Sequence, residues 1–330
     1  MDWFNKKQDP QGGILALPTG SGKTFTAVRF LCQYPLSQGY KVLWLAHTHH
    51  LLDQAFFTFG PKYGNPEKGS EVGYISEPRE NLKVRVVSGS KHFFPPKQIK
   101  ETDDVIIATL QTITRAYNNF QPNLMNFLDS ADGKLFVVFD EAHHAAAPSY
   151  RRLIENLREK YPDIYLLGLT ATPTASTESK KMWLSKLFPQ STISQATLDE
   201  LMAQNILSQP KFKKINTNIK ANFKEGDFQK WINTYNDLPQ KLIKDLAENE
   251  ERNKIIADNY VENKDEYGKT IIFTDRWYQC VTLCKFLRNR GVKADVMFTM
   301  VNKSLGSAGT AQRNLEALDK FKIGEIDVLI

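Results

Sequence analysis

The chain has 330 residues, enough for about two domains at roughly 150 residues each. Hydrophobic residues make up 41% and charged residues 24%, the balance of an ordinary globular chain and not of a disordered one. Forty-three basic against 37 acidic residues leave +6, spread as 22 against 18 up to residue 195 and 21 against 19 beyond it, so there is no polybasic tail. This balance permits a nucleic-acid partner without requiring one. No apolar run approaches the roughly 18 residues of a membrane helix, and no apolar signal stretch follows Met1. Cys32, Cys280 and Cys284 make no disulfide framework, and nothing has zinc-ligand spacing. The expectation is a reduced, cytoplasmic protein with no membrane partner.

Short apolar runs alternate with helical periodicity along the chain. Strands are predicted over residues 13–17, 41–46, 83–87, 105–108, 135–139 and 164–169, and again over 269–273, 294–298 and 327–330. Most are continuous apolar runs, as in strands covered on both faces. Helices are predicted over 23–33, 49–57, 149–160, 276–290 and 311–321, the last with Leu315, Leu318 and Phe321 on one apolar face. Residues 60–80, rich in Gly, Pro and charge, read as an exposed excursion. Residues 190–268 carry few strand signals and long polar helical stretches, one of them opened by Glu248-Asn-Glu-Glu-Arg252. Strand–helix alternation implies an α/β fold, a parallel sheet with helices on both faces. The organisation reads as a first domain over residues 1–205, then a connection and the start of a second α/β domain over 206–330. The last strand signal, Asp327–Ile330, falls at the chain end, so the second domain is expected to be incomplete.

Leu17-Pro18-Thr19-Gly20-Ser21-Gly22-Lys23-Thr24 follows a strand and opens a helix. Glycines let backbone N–H groups close around a triphosphate, and the helix N-terminus favours the anion. Lys23 suits the β- and γ-phosphates, and Thr24 offers a hydroxyl to Mg²⁺. Further on, Leu135-Phe-Val-Val-Phe is an apolar strand ending in Asp140-Glu141-Ala-His143-His144. Strand ends of this kind face the crevice of an open α/β sheet. Asp140 there can hold Mg²⁺, and Glu141 can polarise the water that attacks the γ-phosphorus. The adjacent histidines point different ways and lack a third ligand at a useful spacing, which disfavours a metal centre built on them.

These motifs resemble the superfamily 2 helicase and translocase motors. Leu17–Thr24 is similar to their motif I, and Val42–Gln54 to motif Ia. Asp140-Glu-Ala-His143 is the DEAH form of motif II, and Gly168-Leu-Thr170-Ala171-Thr172-Pro173 is similar to motif III. The stretch 105–113 resembles the motif preceding motif II, Lys269–Asp275 resembles motif IV, and 313–330 the approach to motif V. The GLTATP form, with its DEAHH partner, looks most like the motor subunits of type I and type III restriction enzymes.

The resemblance implies a RecA-like P-loop NTPase with one complete lobe and part of a second, ATP and Mg²⁺ bound between lobes, and DNA favoured over RNA as the track. A nuclease or specificity subunit is the partner it implies. Catalysis would rest on Lys23, Asp140, Glu141 and His143, and ATP binding on Pro18, Thr19, Gly20, Ser21, Gly22, Lys23 and Thr24. Thr24 and Asp140 would hold Mg²⁺. Thr170, Ala171 and Thr172 would couple the ATP site to a nucleic-acid groove lined by Thr48, Thr109 and Gln111. A basic residue is common in the family where Thr48 stands, the adenine-reading glutamine has no clear match in Gln8 or Gln11, and the arginines of motif VI are missing. The chain alone is therefore expected to hydrolyse ATP poorly unless a partner completes the site. Two other readings follow, an ATP-gated binding module without turnover and an RNA helicase. Of the remaining candidates, Trp44, Cys280 and Cys284 read as core, Trp277 as a packing residue, and Lys211, Lys213 and Lys214 as a solvated basic cluster.

Overall fold

The computed structural model describes residues 2–6, 11–59, 82–90, 93–144, 148–171, 178–190, 192–217, 239–298 and 306–330. The expected excursion at 60–80, and Gln8, Thr172 and Pro173, lie outside the described residues. The chain forms two compact units, Met1–Pro210 and Lys211–Ile330.

The first unit is built on a seven-stranded sheet of β1 (Gly12–Ala16), β2 (Lys41–Ala46), β3 (Val84–Val87), β4 (Val105–Thr109), β5 (Leu135–Asp140), β6 (Tyr165–Thr170) and β7 (Thr192–Gln195). The order is β3-β4-β2-β5-β6-β1-β7, and every pairing is parallel. Side chains alternate between the two faces. Val42, Trp44, Phe136 and Val138 enter one core with Val28 and Leu31 of helix Lys23–Gln33 and Leu52 and Ala55 of helix His49–Phe59. Leu43, Leu45, Val137 and Phe139 enter the opposite core with Ile113 of helix Leu110–Asn118, Phe127 of helix Pro122–Asp129 and Leu157 of helix Pro148–Lys160. Burial on both faces is why these strands read as unbroken apolar runs. Trp44 is core, as its setting in an apolar strand indicates.

Strand β7 has no counterpart among the predicted strands. Its sequence, Thr-Ile-Ser-Gln, is polar because β7 is an edge strand with partly exposed residues, paired on one side to β1. In the second unit, β8 (Thr270–Ile271), β9 (Ala294–Asp295) and β10 (Val328–Leu329) form a parallel sheet in the order β8-β10-β9. They are shorter than the apolar runs that announce them. Phe273, beyond the end of β8, is 91% exposed. Helix Glu250–Glu262 opens where Asn249 accepts the Arg252 N–H at 2.8 Å, the cap that the Glu248–Arg252 stretch announces. Cys280 and Cys284 are buried. Two side chains depart from expectation. In helix Gly306–Ile323 the packed face runs through Ala317, Leu318 and Phe321, while Leu315 is 56% exposed. Trp277 is likewise 56% exposed at the first turn of helix Trp277–Asn289. Among the described residues, no helix is long and apolar enough to cross a membrane.

Gly168 lets the turn after β5 lie directly on β6. A Cβ at Gly168 would stand 2.8 Å from Ala142 Cβ and 3.0 Å from Phe188 Cζ. Gly168→Ala is expected to destabilise the first unit by about 1–3 kcal/mol, the usual cost of overpacking. Urea denaturation followed by tryptophan fluorescence checks this, and an unchanged midpoint would contradict the packing described.

Candidate functional site

The carboxyl end of β1 runs into a loop whose turns need glycine. Gly20 and Gly22 both have φ of +84°, the left-handed region that residues with a Cβ enter at a cost. Space is not the constraint at Gly22, where a Cβ would meet nothing within 4 Å. Ser21 closes the loop on itself, its N–H and Oγ both donating to the Pro18 carbonyl at 3.3 and 2.6 Å. The Leu17 N–H donates to the Thr170 carbonyl at 3.1 Å and fixes the loop entry to the end of β6. Pro18 is half-buried and Thr19 exposed. Lys23 and Thr24 then open helix Lys23–Gln33. Buried Thr24 accepts a hydrogen bond from Gln54 Nε2 at 3.2 Å. A hydroxyl oxygen has a second lone pair, which stays available to a cation.

Asp140 ends β5, and its position follows from strand parity. Phe136, Val138 and Asp140 alternate onto the face that carries the phosphate-loop helix, and a slip of one residue would turn the carboxylate to the other face. Asp140 is only 4% exposed. Its Oδ1 accepts the Glu141 N–H at 3.1 Å, while Oδ2 is buried without a hydrogen bond. Trp44 lies near enough to favour the carboxylate slightly, but its Nε1 also lacks a hydrogen bond of normal geometry. Burial pushes the Asp140 carboxyl up to about 6, with Glu141 adding to the shift and Lys23 opposing it. A buried oxygen left without a partner and a neighbouring site of hydroxyl chemistry make a donor set that fits a hard divalent cation such as Mg²⁺.

Glu141 follows with φ of +55°, a strained conformation for a residue with a Cβ. This turn reverses the chain so that both carboxylate oxygens meet cationic or polar partners. Oε1 lies 3.7 Å from Lys23 Nζ and Oε2 lies 3.4 Å from His143 Nδ1. The same His143 nitrogen is 3.3 Å from Thr170 Oγ1. Lys23, Glu141, His143 and Thr170 thus form one continuous chain of contacts across β1, β5 and β6. Ala171, half-buried, follows Thr170 beyond the end of β6.

The expected nucleic-acid residues stand farther along the same sheet edge. Thr48 is exposed between β2 and helix His49–Phe59. Thr109 ends β4, is buried, and donates its hydroxyl proton to Thr112 Oγ1 at 2.7 Å. Thr112 in turn accepts the Gly89 N–H at 3.1 Å. Gln111 is exposed in the first turn of helix Leu110–Asn118. Gln54 and Trp44 are the site neighbours that the motif reading does not single out. Their contacts join residues far apart in the chain, and no local spacing signals them.

The raised Asp140 carboxyl has a consequence for stability. The native state holds its proton up to about pH 6, whereas an unfolded carboxyl releases it near 3.8. The stabilisation is therefore complete below pH 3.8 and lost as the pH rises through 6, leaving a cost of about 3 kcal/mol at neutral pH. Asp140→Asn is expected to raise stability in EDTA at pH 7.5 by up to that amount and by almost nothing at pH 4. Urea titrations at the two pH values check this, and an equal effect at both would contradict it.

Comparison with known proteins bears on the same residues. The family described as "Type III restriction enzyme, res subunit" matches residues 2–175, more than half of the chain. A protein described as "Putative ATP-dependent helicase IRC3", from Saccharomyces cerevisiae, is 24% identical over 283 residues, covering 81% of this chain and 37% of that protein. "Putative ATP-dependent DNA helicase fml2" of Schizosaccharomyces pombe is 31% identical over 173 residues, 50% of this chain and 19% of that protein. This chain therefore spans little more than a third of the length of the first of these relatives and less of the second. Among solved structures, the helicase domain of Pyrococcus furiosus Hef matches with a TM-score of 0.55 at 18% identity, over 97% of this chain and 82% of that one. The fold is thus that of RecA-like helicase domains. The matched family segment contains the phosphate loop, the Asp140–His143 turn and Thr170, and this chain belongs to the type III restriction enzyme res subunit family.

Proposed function

We propose that this chain is the motor part of a nucleic-acid-dependent ATPase, a helicase or duplex-DNA translocase that couples ATP hydrolysis to movement along a strand. The observation that carries the reading is the Lys23–Glu141–His143–Thr170 chain beside the phosphate loop. Family membership and relatives named as ATP-dependent helicases support it. Residues 18–24 would cradle the triphosphate, with Lys23 on the β- and γ-phosphates. Thr24 and Asp140 would hold Mg²⁺, which when bound neutralises charge on the transferring phosphoryl group. Glu141 would orient the attacking water. Its carboxylate lies against Lys23, and a γ-phosphate would take over that cation and release the carboxylate for the water. His143 and Thr170, with Ala171 and Thr172 beyond, would relay the change at Glu141 to the end of β6 and from there along the sheet edge.

Thr48 and Gln111 are the exposed groups suited to strand phosphates. Thr109 would act through Thr112, holding the loop after β3. DNA is favoured over RNA because the Schizosaccharomyces pombe relative is named as an ATP-dependent DNA helicase. We assign residues 1–205 to the ATP-binding lobe and 206–330 to the connection and part of a second RecA-like lobe, a reading that the parallel three-stranded sheet supports. A nuclease or specificity subunit as partner suits the family. The buried free thiols suit a cytoplasmic site of action.

Phosphate release stimulated by DNA is expected, with Lys23→Ala abolishing it and Glu141→Gln lowering it by about 10²–10⁴ while ATP still binds. A steady-state assay with and without DNA, beside nucleotide binding by equilibrium dialysis, checks both. Turnover that survives either substitution would remove these roles. Gln54→Leu takes away the hydrogen bond that sets the Thr24 hydroxyl. It is expected to raise the Mg²⁺ concentration for half-maximal turnover about tenfold, and a magnesium titration at saturating ATP tests this.

A further inference from the structure

We propose that the face of helix Leu110–Asn118, continued by Asn119 and Phe120, is a second contact zone for a single nucleic-acid strand, carrying it onward from the strand ends where Thr48 and Gln111 stand. The proposal rests on the nucleic-acid reading above and extends it from Gln111 to residues that the motor motifs leave out.

Three observations converge on this face. The first is a hollow between helix Leu110–Asn118 and the start of helix Pro148–Lys160, lined by Gln111, Thr114, Arg115, Asn118, Asn119 and Tyr150. It begins at the functional edge of the sheet, since the Tyr150 ring stands edge-on to His47, just past the end of β2, with centroids 5.4 Å apart. The second is chemistry. From Val105 to Leu128 the chain has no acidic residue and one cation, Arg115. Gln111, Arg115 and Asn118 are spaced four and three apart, hence on one helix face. With Asn119, their side chains make no hydrogen bond or ion pair among the described residues, although many polar side chains elsewhere in this unit are engaged. A row of amides around one guanidinium, with no carboxylate on its own helix and Asp129 and Glu159 of the neighbouring elements acting on Tyr117, suits a phosphodiester backbone and is indifferent to sequence. At 1.5 Å per residue the row from Gln111 to Asn118 extends about 10 Å, room for about two or three phosphates.

The third is Phe120. The helix ends with the Phe120 N–H donating to the Tyr117 carbonyl at 3.0 Å and the Gln121 N–H to the Ala116 carbonyl at 2.9 Å. This is the terminating pattern in which glycine ordinarily occupies the left-handed position. Here that position, at φ of +49°, holds a phenylalanine that is 75% exposed. The ring is largely exposed and its backbone strained, so it contributes little to folding that glycine would not. An exposed, rigidly presented aromatic ring at the end of an amide and guanidinium track is the arrangement that stacks on an unpaired base.

The test is fluorescence anisotropy with the full chain and labelled oligo-dT and oligo-U of about six and about twelve nucleotides, within the range that single-strand sites cover. The unaltered chain should bind the longer probe at least tenfold more tightly. Phe120→Gly should lose about tenfold on the longer probe and nothing on the shorter one, while its thermal unfolding midpoint holds or rises. Arg115→Gln should lose affinity in the same length-dependent way and flatten the dependence of log Kd on log salt by about 0.7. The proposal is overturned if both variants bind the longer probe as the unaltered chain does, or if both probes weaken alike. It is also overturned if Phe120→Gly loses affinity only in step with a lowered midpoint. Failure of the unaltered chain to bind either probe, with or without ATP, would instead overturn the nucleic-acid reading on which it rests. Comparing the dT and U probes shows which backbone the track accepts.

Discussion

Parallel pairing throughout the seven-stranded sheet is the constraint from which the site follows. Every strand points the same way, so every strand-to-helix turn of that sheet falls on one edge. The order β3-β4-β2-β5-β6-β1-β7 then sorts those turns. The phosphate loop after β1, Thr170 at the end of β6 and Asp140 at the end of β5 stand side by side. Thr48 and Thr109, after β2 and on β4, occupy the next stretch of the same edge. The two sets of residues suited to nucleotide and to nucleic acid are neighbours because β2 pairs directly with β5.

Within that edge, the local chemistry runs against folding. A carboxylate at the end of a buried strand is desolvated, and the Lys23 ammonium compensates only in part because it lies against Glu141. Glu141 itself sits in a left-handed conformation, and Asp140 Oδ2 has no partner. Such features persist where the surrounding packing over-determines them. Here the packing is the two-faced core of β5 and the close seat of Ala142 on Gly168. A cation would answer the desolvated carboxylate and the open oxygen of Asp140, which is the physical sense in which the site is poised for one.

Exposed apolar residues of the two units have different causes. Leu315 and Trp277 belong to a second unit whose small sheet buries few side chains, and periodicity there overstates burial because a helix with one packed side needs few apolar contacts. Phe120 is different in kind. It lies in the well-packed first unit, beside helices that bury Ile113, Phe127 and Leu157 completely, and is held outward by a helix terminus closed with two hydrogen bonds.

The strands that are buried on both faces, the phosphate loop and the acidic strand end are legible in the chain's residues alone. Each is specified locally: continuous apolar runs for strands with two covered faces, glycines where φ is positive, and carboxylates at a strand terminus. Strand β7 escaped because an edge strand needs no such run. The strand order, and with it which strand ends meet, is set by the folded chain. The fold alone placed Gln54 on Thr24, Trp44 beside Asp140, and His143 between Glu141 and Thr170. These pairings depend on parity across strands and on helices returning over the sheet, which bring together residues separated by as many as 96 positions, as for Trp44 and Asp140. No local pattern in the chain encodes contacts at that range.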